Sequence, residues 1–237
     1  MKCYQSNDKH FLGVVVTNGA GSPRKGIYAD FTDEQMQEVR RIEQKKAADI
    51  GEYSALALLD YSSRDIKDKD NVISVDELIN LIKEAKPKVI YTHNLADKHD
   101  THVAVTVKVI KAIRSLPKKD RPKKLYGCEV WRGLDWMLDV DKVVFDVDKH
   151  TELAMNLVKV FDSQIAGGKR YDLATAGRRL ANATYAASHA TDTSQSLIYG
   201  MDLTPLIEND DLNISEYVLE YIRRMMSNIN QKIISFI

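Results

Sequence analysis

The sequence predicts an α/β protein built on a mostly parallel sheet with helices on both faces. Three observations carry that reading. Short β-branched apolar runs recur along the chain, helical stretches with one apolar stripe separate them, and the connections are short and polar. The 237 residues suffice for a sizeable core, and one domain spanning residues 1–237 is the expected organisation. The chain is 44% hydrophobic and 29% charged, which excludes disordered, collagen-like and coiled-coil classes for the whole.

The first expected strand is residues 11–16 (FLGVVV), stopped by Thr17, Asn18 and Gly19. A loop holding Gly21, Pro23 and Gly26 follows. A helix should start after Thr32 or Asp33, both good N-caps, with Met36, Val39, Ile42 and Ala47 facing inward and Gly51 ending it. Residues 54–60 (SALALLD) form the next strand. A second helix covers residues 74–85, terminated by Pro87, and leads into the strand at 88–92 (KVIYT). After the loop HNLADKHD a third helix begins near Thr101. It is apolar on most sides, which predicts deep burial. Residues 125–130 and 142–147 complete the strands. Helices are then expected over 151–165, from about 171 to 187, and from Ser215 onward. Residues 188–208 read as a long ordered loop.

Charge and cysteine usage exclude several functions. Thirty-four basic residues balance thirty-four acidic ones, so no global attraction to nucleic acid or an anionic membrane is expected. No apolar run approaches the ~20 residues of a membrane span. The N-terminal MKCYQSNDKH lacks the apolar core of a signal peptide, so a cytoplasmic location is expected. Cys3 and Cys128 show no CxxC spacing and read as reduced thiols.

Ligands of open parallel sheets bind beyond the carboxyl ends of the strands. The richest such end carries His93, Asp97, His99, Asp100 and His102, with half of the six histidines of the chain. His99 and His102 lie three residues apart at a helix start and project to one side. One imidazole of such a pair can bind a metal while the other polarises a carbonyl, with Asp97 or Asp100 orienting the rings. The same residues also fit a plain capped helix start with exposed histidines, Asp100 or Thr101 being the cap. Other motifs are weaker. The loop from Gly19 lacks the third glycine of a dinucleotide fingerprint and the Gly-Lys-Ser/Thr of a phosphate loop, and no GxSxG occurs. KKDRPKK at 118–124 is an exposed basic loop, and Arg40 with Glu43 reads as a surface ion pair.

VVVTNGAGS, VRRIEQKKAADIG, LLDYS and YTHNLADKHDTHVAV, in that order, resemble the PIG-L (LmbE-type) zinc-dependent N-deacetylases, as does VFDVDKHTELAMNLVKVFDSQ further on. The resemblance covers most of residues 11–180. It implies a Rossmann-like fold, zinc as cofactor, and hydrolysis of the acetamide of an N-acetylglucosamine-type small molecule. It makes His102 the metal ligand, His99 the catalytic residue that polarises the substrate carbonyl or stabilises the oxyanion, and Arg40 and Asn18 substrate-side residues. It also leads to the expectation that Asn18, Asp60, His99 and His102 share one rim.

One departure stands out. Family members open with a strand and an Ala-His-Pro-Asp-Asp motif that supplies two zinc ligands and the catalytic base, and this chain has no such motif. The resemblance therefore implies a missing first strand and helix, weak or absent zinc, and little or no turnover. A non-catalytic or vestigial ligand-binding protein on the same fold is the alternative.

Overall fold

A computed structural model describes residues 3–237. It shows an α/β fold whose chain gathers into two compact units, Met1–Ile66 with Asp146–Leu197, and Lys67–Phe145 with Ile198–Ile237.

The first unit contains the strands β1 (Leu12–Thr17) and β2 (Ala55–Tyr61), which pair in parallel from Leu12 opposite Ala55 to Val15 opposite Leu58. The register then shifts, so that Thr17 faces Tyr61. Between them runs α1 (Asp33–Ile50). Its start is fixed by a capping box in which the Thr32 hydroxyl accepts from the Gln35 amide and the Gln35 side chain accepts from the Thr32 amide. Met36 and Ala47 of the expected apolar stripe are buried, while Ile42 is exposed. Helix α2 (Ser63–Lys67) follows β2. Later in the chain come α5 (Thr151–Lys159), α6 (Asp162–Ile165) and α7 (Tyr171–Thr184), with α1, α5, α6 and α7 packed on one another. The single helix expected over 151–165 is broken at Val160 and Phe161, where Phe161 leaves helical geometry.

The second unit is built around α3 (Ile73–Ala85), β3 (Val89–His93), α4 (Asp100–Arg114), β4 (Lys124–Cys128) and β5 (Lys142–Asp146). It is completed by β6 (Leu197–Asp202), α8 (Thr204–Glu208) and α9 (Ile214–Ile234). Lys86 takes a left-handed conformation (φ 45°) and closes α3 just before Pro87, which cannot continue the helix. Strands β3 and β4 run parallel, with His93 opposite Cys128. Ile110 and Ile113 of α4 are fully buried, as are Leu125 of β4 and Met201 of β6. The deep burial expected for α4 is therefore present on one face.

Two corrections concern the sheet. All five expected strands form, but not in one mostly parallel sheet. β1 and β2 make a two-stranded sheet, whereas the other is four-stranded in the order β3-β4-β6-β5. In that sheet β6 is antiparallel to β4, with Gly127 opposite Met201. Strand β6 and helix α8 also fall inside 188–208, which the sequence reading leaves as loop. No helix among the described residues is long and apolar enough to cross a membrane.

Candidate functional site

The first unit places Asn18 and Arg40 at the carboxyl end of its strand pair. Asn18 follows β1, and its side chain donates to the Asp60 carbonyl (3.3 Å) and accepts from the Ala20 amide (3.1 Å). Asp60 has φ 57°, an uncommon left-handed conformation for a residue with a side chain. Its carboxylate takes an ion pair from Arg41 (3.1 Å). Gly19 (φ 78°) lets the neighbouring helix approach closely, since a Cβ there would fall 2.7 Å from Arg40 Cγ.

Arg40 does not lie on an open surface. Its side chain is 13% exposed, its Nη1 reaches Glu43 Oε2 at 2.7 Å, and the guanidinium sits 5.1 Å from the centre of the Phe161 ring. The pair read from the sequence as a surface contact is thus buried. Glu43 accepts in addition from the Ser163 amide and the Ser163 hydroxyl, both at 2.7 Å. Burial pulls the Arg40 pKa down, although the Glu43 carboxylate opposes that shift. This network was missed by sequence reasoning, because Ser163 lies 120 positions from Glu43. Close to it the Tyr28 hydroxyl donates to Asp162 at 2.8 Å, and burial pushes that phenol up to about 12.

The second unit gathers the histidines. The rings of His93, at the end of β3, and His102, in the first turn of α4, stack face to face with centroids 3.9 Å apart and planes within 7°. His99 also stacks on His102, with centroids 4.7 Å apart, and Trp131 stands 6.2 Å from His99. Asp97 is buried and holds the turn together. One carboxylate oxygen accepts from the His99 amide (3.0 Å), and the other accepts from the Trp131 amide (3.1 Å). Burial alone would raise the Asp97 pKa, but those two amides together with the neighbouring His102 bring the net shift downward. Asn94, fully buried, ties the same turn to the Cys128 and Arg132 carbonyls. Thr106 anchors α4 to the strand by donating to the His93 carbonyl at 2.8 Å.

The cap of α4 is His99 itself, through its backbone and without a side-chain bond, rather than Asp100 or Thr101. Its imidazole is exposed. His93 and His102 are half-buried, and the Nδ1 atom of each is shielded from water without a hydrogen-bond partner among the described residues. His102 Nδ1 points towards Asp97 Oδ2 at 3.6 Å, beyond hydrogen-bond reach. Burial, reinforced by the neighbouring imidazoles, lowers His93 to about 4, and burial also lowers His102. Both shifts favour the neutral form of the ring.

A catalytic zinc needs three converging protein donors. Among the described residues no group of three or more His, Cys, Asp or Glu side chains could hold a metal ion. Asp97 has both oxygens engaged by backbone amides, and His93 and His102 lie flat against each other. The residues present therefore do not fit the zinc site that the sequence resemblance implies.

Comparison with known proteins agrees with the fold. Residues 1–113 match the family described as PIG-L, GlcNAc-PI de-N-acetylase. Among solved structures, N,N'-diacetylchitobiose deacetylase from Pyrococcus horikoshii is similar with a TM-score of 0.59 at 10% identity, over 84% of this chain and 75% of that one. The 4-carboxy-2-hydroxymuconate hydratase GalB from Pseudomonas putida is similar with a TM-score of 0.58 at 14% identity, over 82% and 84%. A conserved protein from Thermus thermophilus also gives 0.58 at 14% identity, over 86% of each chain. No protein of curated function matches the chain in sequence. A deacetylase and a hydratase share this architecture, so the fold alone does not select the reaction.

Proposed function

From the match of residues 1–113 to the PIG-L family of de-N-acetylases, we infer a single PIG-L-type domain that receives an N-acetylated sugar-type small molecule and does not by itself hydrolyse it. The observation that carries this reading is the histidine cluster. It keeps the part of the site that His99 and His102 would supply, yet among the described residues no three donors converge on a metal. Exposed His99 stands at the N-terminus of α4, where the helix dipole favours a partly negative oxygen. An acetamide carbonyl is such a group, and an imidazole N–H can donate to it. Within the second unit His102, 3.6 Å from Asp97, is given the family's metal-ligand role; within the first, Arg40 and Asn18 are given the family's substrate-contacting roles, with the buried Glu43 fixing Arg40. Water activation in the family is zinc chemistry, and with one matched ligand these residues do not supply it.

A second reading, a non-catalytic vestigial or ligand-binding protein on the same fold, rests on the same observation and differs in the ligand, which need not be an N-acetylated sugar. Metal analysis of the purified chain, an N-acetyl sugar deacetylation assay and calorimetry with N-acetylglucosamine test both. The expected result is substoichiometric zinc, no turnover, and weak saturable binding that His99→Ala reduces. Stoichiometric zinc with turnover abolished by His102→Ala would overturn the proposal.

A further inference from the structure

Helix α9 is the longest element of the described residues, 21 residues, and none of its residues is buried. Its start is well specified, since the Asn213 side chain accepts from the amides of Ser215 and Glu216. Tyr217, Val218, Tyr221 and Met225 are half-buried along one face. There the Tyr217 hydroxyl donates to the Asp202 carbonyl at 2.6 Å. An adjacent face carries Leu219, Ile222, Met226, Ile229 and Ile233, continued just past the helix end by Phe236. These six side chains are 36–90% exposed.

Their spacing is three, four, three, four and three residues. That is the a/d repeat of a coiled-coil seam, sustained over about two and a half heptads. A surface helix that only packs on its own core shows a single stripe, which α9 already has in the Tyr217 to Met225 face. On an ideal helix a heptad stripe drifts by roughly 20° per repeat, so it stays in register only with a partner that winds around it. We propose that this face of α9 is a self-association surface whose occupant is the same face of α9 in a second copy of this chain.

Two further observations favour a second copy. Covering the six side chains removes roughly 700 Å² from water on each copy, about 1,400 Å² in all, within the range of about 1,200–2,000 Å² buried by stable interfaces. The charge pattern also speaks against a lipid surface, which would favour a basic rim. Arg223 pairs with Glu216 (2.9 Å) and Glu220 (3.6 Å), and Arg224 pairs with Asp141 (2.7 Å), so that Lys232 is the one other basic residue on the helix.

Sedimentation equilibrium of the full chain, compared with the Ile222→Glu/Ile229→Glu variant, tests the proposal. Wild type should approach twice its 26.9 kDa mass at micromolar concentration. The variant should stay at the single-chain mass with an unchanged far-ultraviolet spectrum, because both side chains are exposed in the single chain. A second variant, Ile229→Cys, should form an oxidised dimer at least tenfold faster than Gln231→Cys, which lies off the stripe. A wild type that is monomeric at 100 micromolar overturns the proposal, whether the face then binds a different protein or co-sediments with phosphatidylcholine or phosphatidylserine vesicles. A charged variant that still dimerises overturns it as well.

Discussion

The two buried polar clusters of this chain are opposites. In the first unit, Arg40, Glu43 and Ser163 form a closed set, with the carboxylate accepting from a guanidinium, a hydroxyl and an amide. In the second, His93 and His102 bring two shielded nitrogens together with no partner for either among the described residues. A satisfied buried network contributes to holding a fold, and breaking it leaves a charge stranded. Orphaned nitrogens cost stability instead, and they persist where something other than stability keeps them. The contrast separates an arginine that is fixed in place from histidines that remain available.

The sharpest way to break that contrast is to remove the carboxylate at its centre. Glu43→Ala strands the Arg40 guanidinium and leaves the Ser163 amide and hydroxyl without an acceptor. We expect a loss of about 3–5 kcal/mol in urea unfolding. Ser163→Ala removes one hydroxyl donor and should cost about 1–2 kcal/mol. If Glu43→Ala costs no more than Ser163→Ala, the closed set is not what holds α1 to α6.

The histidine cluster should respond differently. His93→Phe keeps a flat ring stacked on His102 and deletes a buried nitrogen that has no partner. Its unfolding free energy should stay within about 1 kcal/mol of wild type. A loss as large as that of Glu43→Ala would mean that His93 makes a bond in solution, and the two clusters would then be alike.

How much of this was legible in the sequence follows from the range of each interaction. The five short apolar runs located their strands because strand signals are local. Their division between two sheets depends on which strand pairs with which, and nothing within a run encodes that. Strand β6 was hidden because its central Gly200 and the Ser, Thr and Asp residues before it read as loop. That glycine has a packing reason, since a Cβ there would meet the Phe145 ring at 2.7 Å. The clustering of His93, His99 and His102 was visible as composition, but the stacking was not. It requires the end of β3 to lie against the first turn of α4. Arg40 and Glu43 were visible as a pair three residues apart, whereas their burial depends on Ser163, far along the chain. For α9 the sequence reading gave only a helix from Ser215 onward, and it took the exposure in the structure to single out the stripe.

The smallest effect concerns a thiol next to the histidines. Cys128 sits opposite His93 in the β3–β4 register, and burial, with a contribution from the Glu129 carboxylate, pushes its pKa up to about 12. The thiolate is the reactive form, so at pH 8 only about one Cys128 in 10⁴ is available for alkylation. An unperturbed thiol of pKa about 8.5 would react roughly 10³-fold faster. The sign sets the pH profile: the native rate should climb about tenfold per unit from pH 7 to 10, where an unfolded thiol levels off near pH 9. Mass spectrometry of iodoacetamide-treated protein, with Cys128 read by its own peptide, gives the rate. In 8 M urea Cys128 should label at the unperturbed rate. If native Cys128 labels as fast as the unfolded chain, the strand pair that presents His93 opens readily. The orphaned nitrogens would then be wetted rather than shielded, and the difference between the two clusters would vanish.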